Sequence, residues 1–278
     1  MFNTIYHKQD IRVYALASGS SGNATLVCAG ETNVIIDAGL PLRKLAQAMA
    51  RCGVGANNLD AILLTHEHVD HSSGAGPLAR RTGAPIITNA ATLQAYAYRE
   101  ELPFATRVLL TGGEIGIGAL GVRSFAVSHD AVETVGFVLE KHGCRVAYFT
   151  DAGMPTMELR SAVRGANLAV MEANHDIDWL LRGPYSAEMK SRVASTTGHL
   201  SNSDCADLIA ERLEEGGPLS VWLAHLSRVN NSPSLARRSV TQRVREQTRV
   251  PFNVEVALRD HPSVNWQSGA RAVQLSLL

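Results

Sequence analysis

Six consecutive positions, His66-Glu67-His68-Val69-Asp70-His71, hold four side chains suited to divalent metal ions: His66, His68, Asp70 and His71. Neutral imidazole is a common ligand for such ions, and a carboxylate adds charge to the set. Along an extended stretch, residues i and i+2 point the same way, so His66 and His68 can grip one ion. A turn into a helix directly afterwards would swing Asp70 and His71 toward a second. A solvated polar turn is the bland alternative. However, the cluster follows the apolar run 61–65 without a break, and a core is not filled by four ionisable groups in six residues. Two ions need further donors, and the chain offers them at the ends of later apolar runs. These are His129 in Ser128-His129-Asp130, Asp151 in Thr150-Asp151-Ala152-Gly153, and His225 within the run 219–226. Each alone reads as an ordinary loop residue; their joint placement points to one shared site. Two ions about 3.5–4 Å apart acidify a water for in-line attack and neutralise charge on a phosphoryl or carbonyl oxygen. An acid on the far side must then protonate the leaving group.

The elements that must position these groups are strands. Segments 12–17, 25–29, 33–36, 61–65, 85–88, 107–110, 119–127, 134–140, 145–150, 166–172, 219–226 and 254–257 are apolar runs of strand length separated by turn residues. Segments 41–51, 76–81, 203–213 and 234–248 have helical spacing. Ligand-type residues at strand ends, with helices interspersed, imply an α/β (α+β) fold of two sheets packed face to face with helices outside. The stretch in which Arg182, Lys190 and Arg192 flank Tyr185, ahead of His199, reads as an exposed loop. After residue 258 the chain turns polar, so the domain is taken as 1–258 and 259–278 as a tail.

Composition sets the outer bounds. At 278 residues with 45% hydrophobic content, the chain can build a sizeable core. Lys plus Arg and Asp plus Glu number 26 each, so no global field draws it to nucleic acid or membrane. Cys28, Cys52, Cys144 and Cys205 are scattered, which argues against a disulfide framework or thiolate zinc site and fits a reducing compartment. No signal-peptide pattern or membrane span is legible, and the expectation is a cytoplasmic location away from membranes. Oligomeric state is unreadable.

The order His-x-His-x-Asp-His, then His129, Asp151 and His225, resembles the metallo-β-lactamase superfamily over roughly residues 11–258. The resemblance implies a four-layer αββα sandwich. His66, His68 and His129 would then hold one metal, Asp70, His71 and His225 the other, and Asp151 would bridge them. Two further motifs, Met171-Glu172-Ala173-Asn174-His175-Asp176 and Gly198-His199-Leu200-Ser201-Asn202, are similar in order and spacing to the Glu and His motifs of the tRNase Z branch. That similarity gives His199 the general-acid role and Glu172 the task of orienting it, with Asp70 counted among the catalytic groups. His175 lines the pocket or merely sits in a loop. Ser201 is a candidate N-cap.

Taken together with Leu16-Ala17-Ser18-Gly19-Ser20-Ser21-Gly22-Asn23, Ser128-His129-Asp130-Ala131 and Leu223-Ala224-His225-Leu226-Ser227, these motifs resemble the YycJ (WalJ)-type exonuclease subgroup. The resemblance implies 5′→3′ digestion of DNA in mismatch repair, with two divalent ions (zinc or manganese, alternatively iron) as cofactors and DNA as partner. Candidate substrate contacts are Asn174, His175, Arg182, Arg228 and Asn230. Between 228 and 249 lie six arginines against one acid, Glu246, a basic stretch that would serve phosphate if it borders the metals. Trp179 and Tyr185 are candidates for base stacking. The last five residues, Gln274-Leu275-Ser276-Leu277-Leu278, resemble the bacterial sliding-clamp-binding pentapeptide, with Leu278 where that motif has Phe. Packing of this segment on its own domain is the alternative. A small-molecule metallohydrolase acting on a cyclic phosphate, thioester or lactam would use the same metal site. A non-catalytic module is argued against by seven matching ligand positions.

Overall fold

A computed structural model describes residues 10–102, 105–217 and 219–269. The first half of the chain supplies β1 (Ile11–Ala17), β2 (Ala24–Ala29), β3 (Thr32–Ile36), α1 (Leu42–Arg51), β4 (Ala61–Leu63), α2 (Val69–Ser72), α3 (Ala75–Thr82), β5 (Ile86–Thr88), α4 (Ala90–Ala97) and β6 (Thr106–Val108). The second half supplies β7 (Glu114–Ile117), β8 (Leu120–Ala126), β9 (Val135–Lys141), β10 (Cys144–Phe149), α5 (Met157–Val163), β11 (Leu168–Glu172), α6 (Ile177–Arg182), α7 (Ala187–Val193), α8 (Asn202–Glu214), β12 (Ser220–Ala224), α9 (Pro233–Gln247), β13 (Asn253–Val256) and β14 (Asn265–Gln267). The strands form two seven-stranded sheets, ordered β14-β1-β2-β3-β4-β5-β6 and β13-β12-β11-β10-β9-β8-β7.

Alternation along each strand dictates the layering, because successive side chains leave a strand on opposite faces. In β3, Val34 and Ile36 enter the core between the sheets, while Ile35 joins Leu45, Met49 and Leu78 beneath α1 and α3. In β12, Trp222 and Ala224 face the same central core, while Val221 and Leu223 pack with Leu208, Ile209 and Val240 under α8 and α9. Both faces of these strands are therefore buried, as the continuous apolar runs require. The result is the αββα sandwich. From β3 to β6, and from β10 to β13, neighbouring strands run parallel, so within each set their C-terminal ends share one edge.

Two readings of the sequence change. The stretch around Tyr185 that reads as a loop is flanked by helices that take in Arg182, Lys190 and Arg192: Asp176 and Ser186 cap α6 and α7 by accepting the amides of Trp179 and Met189. Helices of six and seven residues are too short to show a repeat in the sequence. The packed body also runs past residue 258. Residues 265–267 form β14, antiparallel to β1 in the register Arg12↔Gln267 and Tyr14↔Asn265. Half-buried Trp266 closes the central core there, which a polar composition concealed. The pentapeptide Gln274 to Leu278 lies outside the described residues. Among the described residues, no helix is long and apolar enough to cross a membrane.

Candidate metal centre

All seven ligand-type residues converge at the strand-end edge of the sandwich. After β4 the chain runs extended through His66 and His68, then turns through the single helical turn α2, which brings Asp70 and His71 around. The second sheet contributes His129 after β8, Asp151 after β10 and His225 after β12. Three acids and imidazoles there, Asp37, Asp151 and His225, hold left-handed backbone with φ of 58°, 56° and 53°. Such conformations cost energy in residues with a Cβ and persist where the surroundings impose them. Each ends a strand abruptly and turns its side chain into the site.

The geometry divides into two sets. His66, His68 and His129 face one another, with ring centroids 4.6 Å apart for His66–His68, 5.3 Å for His66–His129 and 5.2 Å for His68–His129. Asp70 Oδ2 lies 3.7 Å from His71 Nε2 and 3.6 Å from His225 Nε2, which makes the second set. Asp151 sits between them, with Oδ2 3.0 Å from His71 Nε2 and Oδ1 3.7 Å from His129 Nε2. Within each of the triads His66-His68-His129, His66-His71-Asp151 and Asp70-His71-His225, one donor atom per residue falls within 4.8 Å of the others.

Hydrogen bonds behind the rings fix which nitrogen faces the centre. His71 Nδ1 donates to Asp37 Oδ2 at 2.7 Å, and His225 Nδ1 donates to Glu172 Oε1 at 2.8 Å. His129 Nδ1 donates to the Gly198 carbonyl at 3.2 Å. Thr65 Oγ1 is 3.0 Å from Asp37 Oδ1, to which it donates, and so accepts from His66 Nδ1 at 2.9 Å. Acceptors on the Nδ1 side leave the Nε2 lone pairs directed inward, the arrangement by which neighbouring groups orient a ligating histidine. His66 Nε2 and His225 Nε2 are buried without a hydrogen-bond partner. A buried unpaired nitrogen is costly, and a divalent ion satisfies it. The nitrogen and oxygen donors thus fit two such ions.

Glu172 ends β11 and is fully buried, yet four donors surround it. Oε1 accepts from His199 Nδ1 at 2.9 Å as well as from His225 Nδ1 at 2.8 Å. Oε2 accepts the amides of Ala152 and Leu200 at 2.7 and 3.2 Å. Burial opposes its ionisation, but the His199 charge and these hydrogen bonds hold its pKa at about 2. Burial likewise opposes protonation of His199; the Glu172 carboxylate more than offsets it and raises the ring above the usual imidazole range. His66 moves the other way, pushed well down by burial and by neighbouring His71.

Beside the centre lies a cavity of about 150 Å³ whose wall includes Ser20, Asp130, Asn174, Tyr185, Arg192 and His199. Arg192 is clamped to Asp130 Oδ2 through Nε at 2.7 Å and Nη2 at 2.6 Å, which ties α7 to the loop carrying His129. Of the five expected substrate contacts, only Asn174 lines this cavity, and its side chain also donates to the His225 carbonyl at 2.9 Å. His175 and Asn230 are buried at 3% and 0% exposure, and substrate does not reach them in this conformation. Arg182 faces a separate hollow with Trp179 and Val229, and Arg228 is exposed on the loop after His225. The other arginines of the basic stretch do not border the centre. Arg237, Arg238, Arg245 and Arg249 line a shallow outer surface of α9, and Arg243 pairs with Asp207 on α8. Ser201 caps α8 in a reciprocal box with Asp204, as its position suggested.

Sequence reasoning passed over Asp37 and gave Asn23 no role. Asp37 directly follows the apolar strand β3, the same signal that exposed Asp151. Asn23 closes the Ser18–Asn23 turn by accepting the Gly19 amide at 2.8 Å, and its amide nitrogen lies 2.9 Å from His71 Nε2.

Comparison with known proteins agrees with this geometry. The family model described as "Beta-lactamase superfamily domain" matches residues 32–225. The chain is similar to "Exodeoxyribonuclease YycJ" of Bacillus anthracis, with 35% identity over 233 residues, 83% of this chain and 88% of that protein. It is also similar to "Exodeoxyribonuclease WalJ" of Streptococcus pneumoniae, with 34% identity over 82% of this chain and 86% of that protein. Among solved structures, the metallo-beta-lactamase fold protein YhfI from Bacillus subtilis superposes with a TM-score of 0.69 at 16% identity, covering 93% of this chain and 99% of that one.

Proposed function

The chain belongs to the metallo-β-lactamase superfamily and is a metal-dependent hydrolase, and from that premise we propose that it is a 5′→3′ DNA exonuclease acting in mismatch repair. The observation that carries the choice of substrate is its similarity, over more than four-fifths of its length, to the two exodeoxyribonucleases. In this reading His66, His68 and His129 would hold one ion, Asp70, His71 and His225 would hold the other, and Asp151 would serve both. When bound, the pair supplies Lewis acidity and an acidified water for attack at phosphorus. His199 lies at the mouth of the cavity with Nδ1 held by Glu172, so its Nε2–H is free to face the leaving oxygen. It donates the proton that the departing alkoxide needs, and Glu172 keeps the ring oriented and charged until it does. The three-histidine set suits zinc, while the carboxylate-containing set also admits manganese or iron. Four cysteines without disulfides accord with a reducing, cytoplasmic setting.

The test is hydrolysis of end-labelled duplex and single-stranded DNA by protein reconstituted separately with zinc, manganese and iron, alongside Asp70→Ala and His199→Ala. Stepwise loss of 5′-terminal nucleotides by wild type, abolished in both variants, is the expected result. Intact DNA under every metal would overturn the substrate. Turnover of a cyclic phosphate, thioester or lactam would then make it a small-molecule hydrolase on the same centre. We also propose that Gln274 to Leu278 dock on the bacterial sliding clamp, which would raise the enzyme's local concentration on DNA. Support for this is the pentapeptide itself on a polar tether. Deleting it should abolish clamp capture in a pull-down, and undiminished capture would refute the proposal.

A further inference from the structure

Next to the cavity wall that Ser20 and Ser227 form stand two guanidiniums, Arg228 and Arg259, that the hydrolytic machinery does not use. The turn Ser18–Asn23 forms one side of the cavity, and Ser20 lines it together with His199 and Ser227. Behind the turn lies Arg259. Its stem runs so close to Gly19 that a Cβ there would come within 2.8 Å of Arg259 Cγ, and φ of 146° at Gly19 further favours glycine. Arg259 Nη2 donates to the carbonyl of Leu226 at 2.8 Å, which anchors it one residue from His225. Arg228 stands two residues beyond that anchor, exposed. The charge of Arg228, after burial itself, pushes the Arg259 pKa down, as expected of like charges held near one another.

The nearby Asp260 carboxylate offsets this only in part, for the Arg259 pKa stays below the usual guanidinium range. Arg259 Nε is buried without a hydrogen-bond partner. Among the described residues, neither guanidinium forms an ion pair with a carboxylate. Asp260, the nearby acid, instead accepts from Ser21 Oγ at 3.4 Å. Two adjacent arginines with spare N–H groups, beside the hydroxyls of Ser20 and Ser21, form a cradle for an anion of more than one charge. A phosphomonoester carries about −1.5 to −2 at neutral pH, whereas a phosphodiester inside a strand carries one negative charge.

We propose that Arg228 and Arg259, with Ser20 and Ser21, bind the 5′-terminal phosphate of the DNA strand and so select phosphorylated ends for cleavage. The inference rests on the exonuclease reading and deepens it by naming the end the enzyme engages. Arg259 reaches the site from beyond β13, and its stem packs on Gly19, so Arg259→Lys preserves the stem and the charge while removing the fork. Arg228 is exposed and without a partner among the described residues, so Arg228→Gln leaves the packing alone.

The experiment compares duplexes that differ only in a 5′-phosphate or 5′-hydroxyl, read in two ways. One is the rate of nucleotide release by the metal-loaded enzyme. The other is fluorescence anisotropy of labelled DNA titrated with metal-loaded His199→Ala, whose binding is read without turnover. Wild type should prefer the phosphorylated end by roughly tenfold or more, on the scale of a charge-assisted hydrogen bond. Arg228→Gln and Arg259→Lys should each bring the ratio toward one. Introducing the same changes into His199→Ala should do likewise in the binding assay. Cleavage of both ends at equal rates would overturn the end-phosphate site and leave the exonuclease standing. Cleavage of neither, with a phosphate preference in binding that Arg228→Gln removes, would sustain the site and refute the nuclease. A preference that persists in both arginine variants would refute the assignment of these residues.

Discussion

At the scale of single residues, the centre is governed by groups that never touch substrate. Asp37 receives His71 Nδ1, the Thr65 amide and the Thr65 hydroxyl, and so sets the direction of two rings at once. Asp37→Asn should weaken metal affinity by roughly 10–100-fold, the usual cost of losing a partner behind a ligand. Asparagine tolerates the left-handed φ of 58°, so the loss would report the carboxylate rather than the backbone. Competition with a chelating dye measures it, and an unchanged affinity would remove Asp37 from the account. Glu172 is shared between a ligand and the acid, which separates it from His199. His199→Asn should lower turnover by about 10²–10⁴-fold while metal content holds. Glu172→Gln should lower both, because His225 loses its acceptor as well; metal analysis beside kcat distinguishes them. The ligands were legible because four lie within six residues and the rest end apolar runs. Asp37 carried the same signal and was missed, since a lone acid without a neighbouring donor resembles any strand terminus. The Asp130–Arg192 clamp joins positions 62 apart, and nothing local announces such a meeting.

At the scale of elements, the sandwich was legible because two-sided burial writes continuous apolar runs into its parallel strands. What escaped was short or locally polar. The helices α6 and α7 depend on single caps, β7 spans four residues including Gly116, and β14 spans three. The turn of α2 is held against its surroundings with no spare room. A Cβ at Gly39 would lie 1.6 Å from the Asp70 carbonyl oxygen, so Gly39→Ala must displace the segment bearing Asp70 and His71. The expected result is a loss of about 1–3 kcal/mol or more in stability together with weakened metal binding. Denaturant titration and metal analysis check the two halves of that statement, and a variant as stable as wild type would contradict it.

At the scale of the whole molecule, the polar segment after β13 belongs to the body. Truncation after residue 258 removes β14 and the stem of Arg259, whereas truncation after residue 269 keeps both. The first should melt at a lower temperature than the second by scanning calorimetry, and equal melting would show that the edge strand adds nothing. Metal loading should stabilise the full chain by about 4 kcal/mol at a thousandfold excess over the dissociation constant, read as a higher melting temperature. Chelation should reverse the gain. Each triad around the centre takes two residues from the segment after β4 and one from the second sheet: His129 with His66 and His68, Asp151 with His66 and His71, His225 with Asp70 and His71. A chain in which only one sheet has assembled therefore owns incomplete fragments of every triad, although the second sheet by itself still gathers Asp151, Glu172, His199 and His225. Filling of the triads becomes a proofreading step in biogenesis: during refolding full metal loading should lag behind the recovery of secondary structure, and a half-made molecule would announce itself by holding less than the full complement.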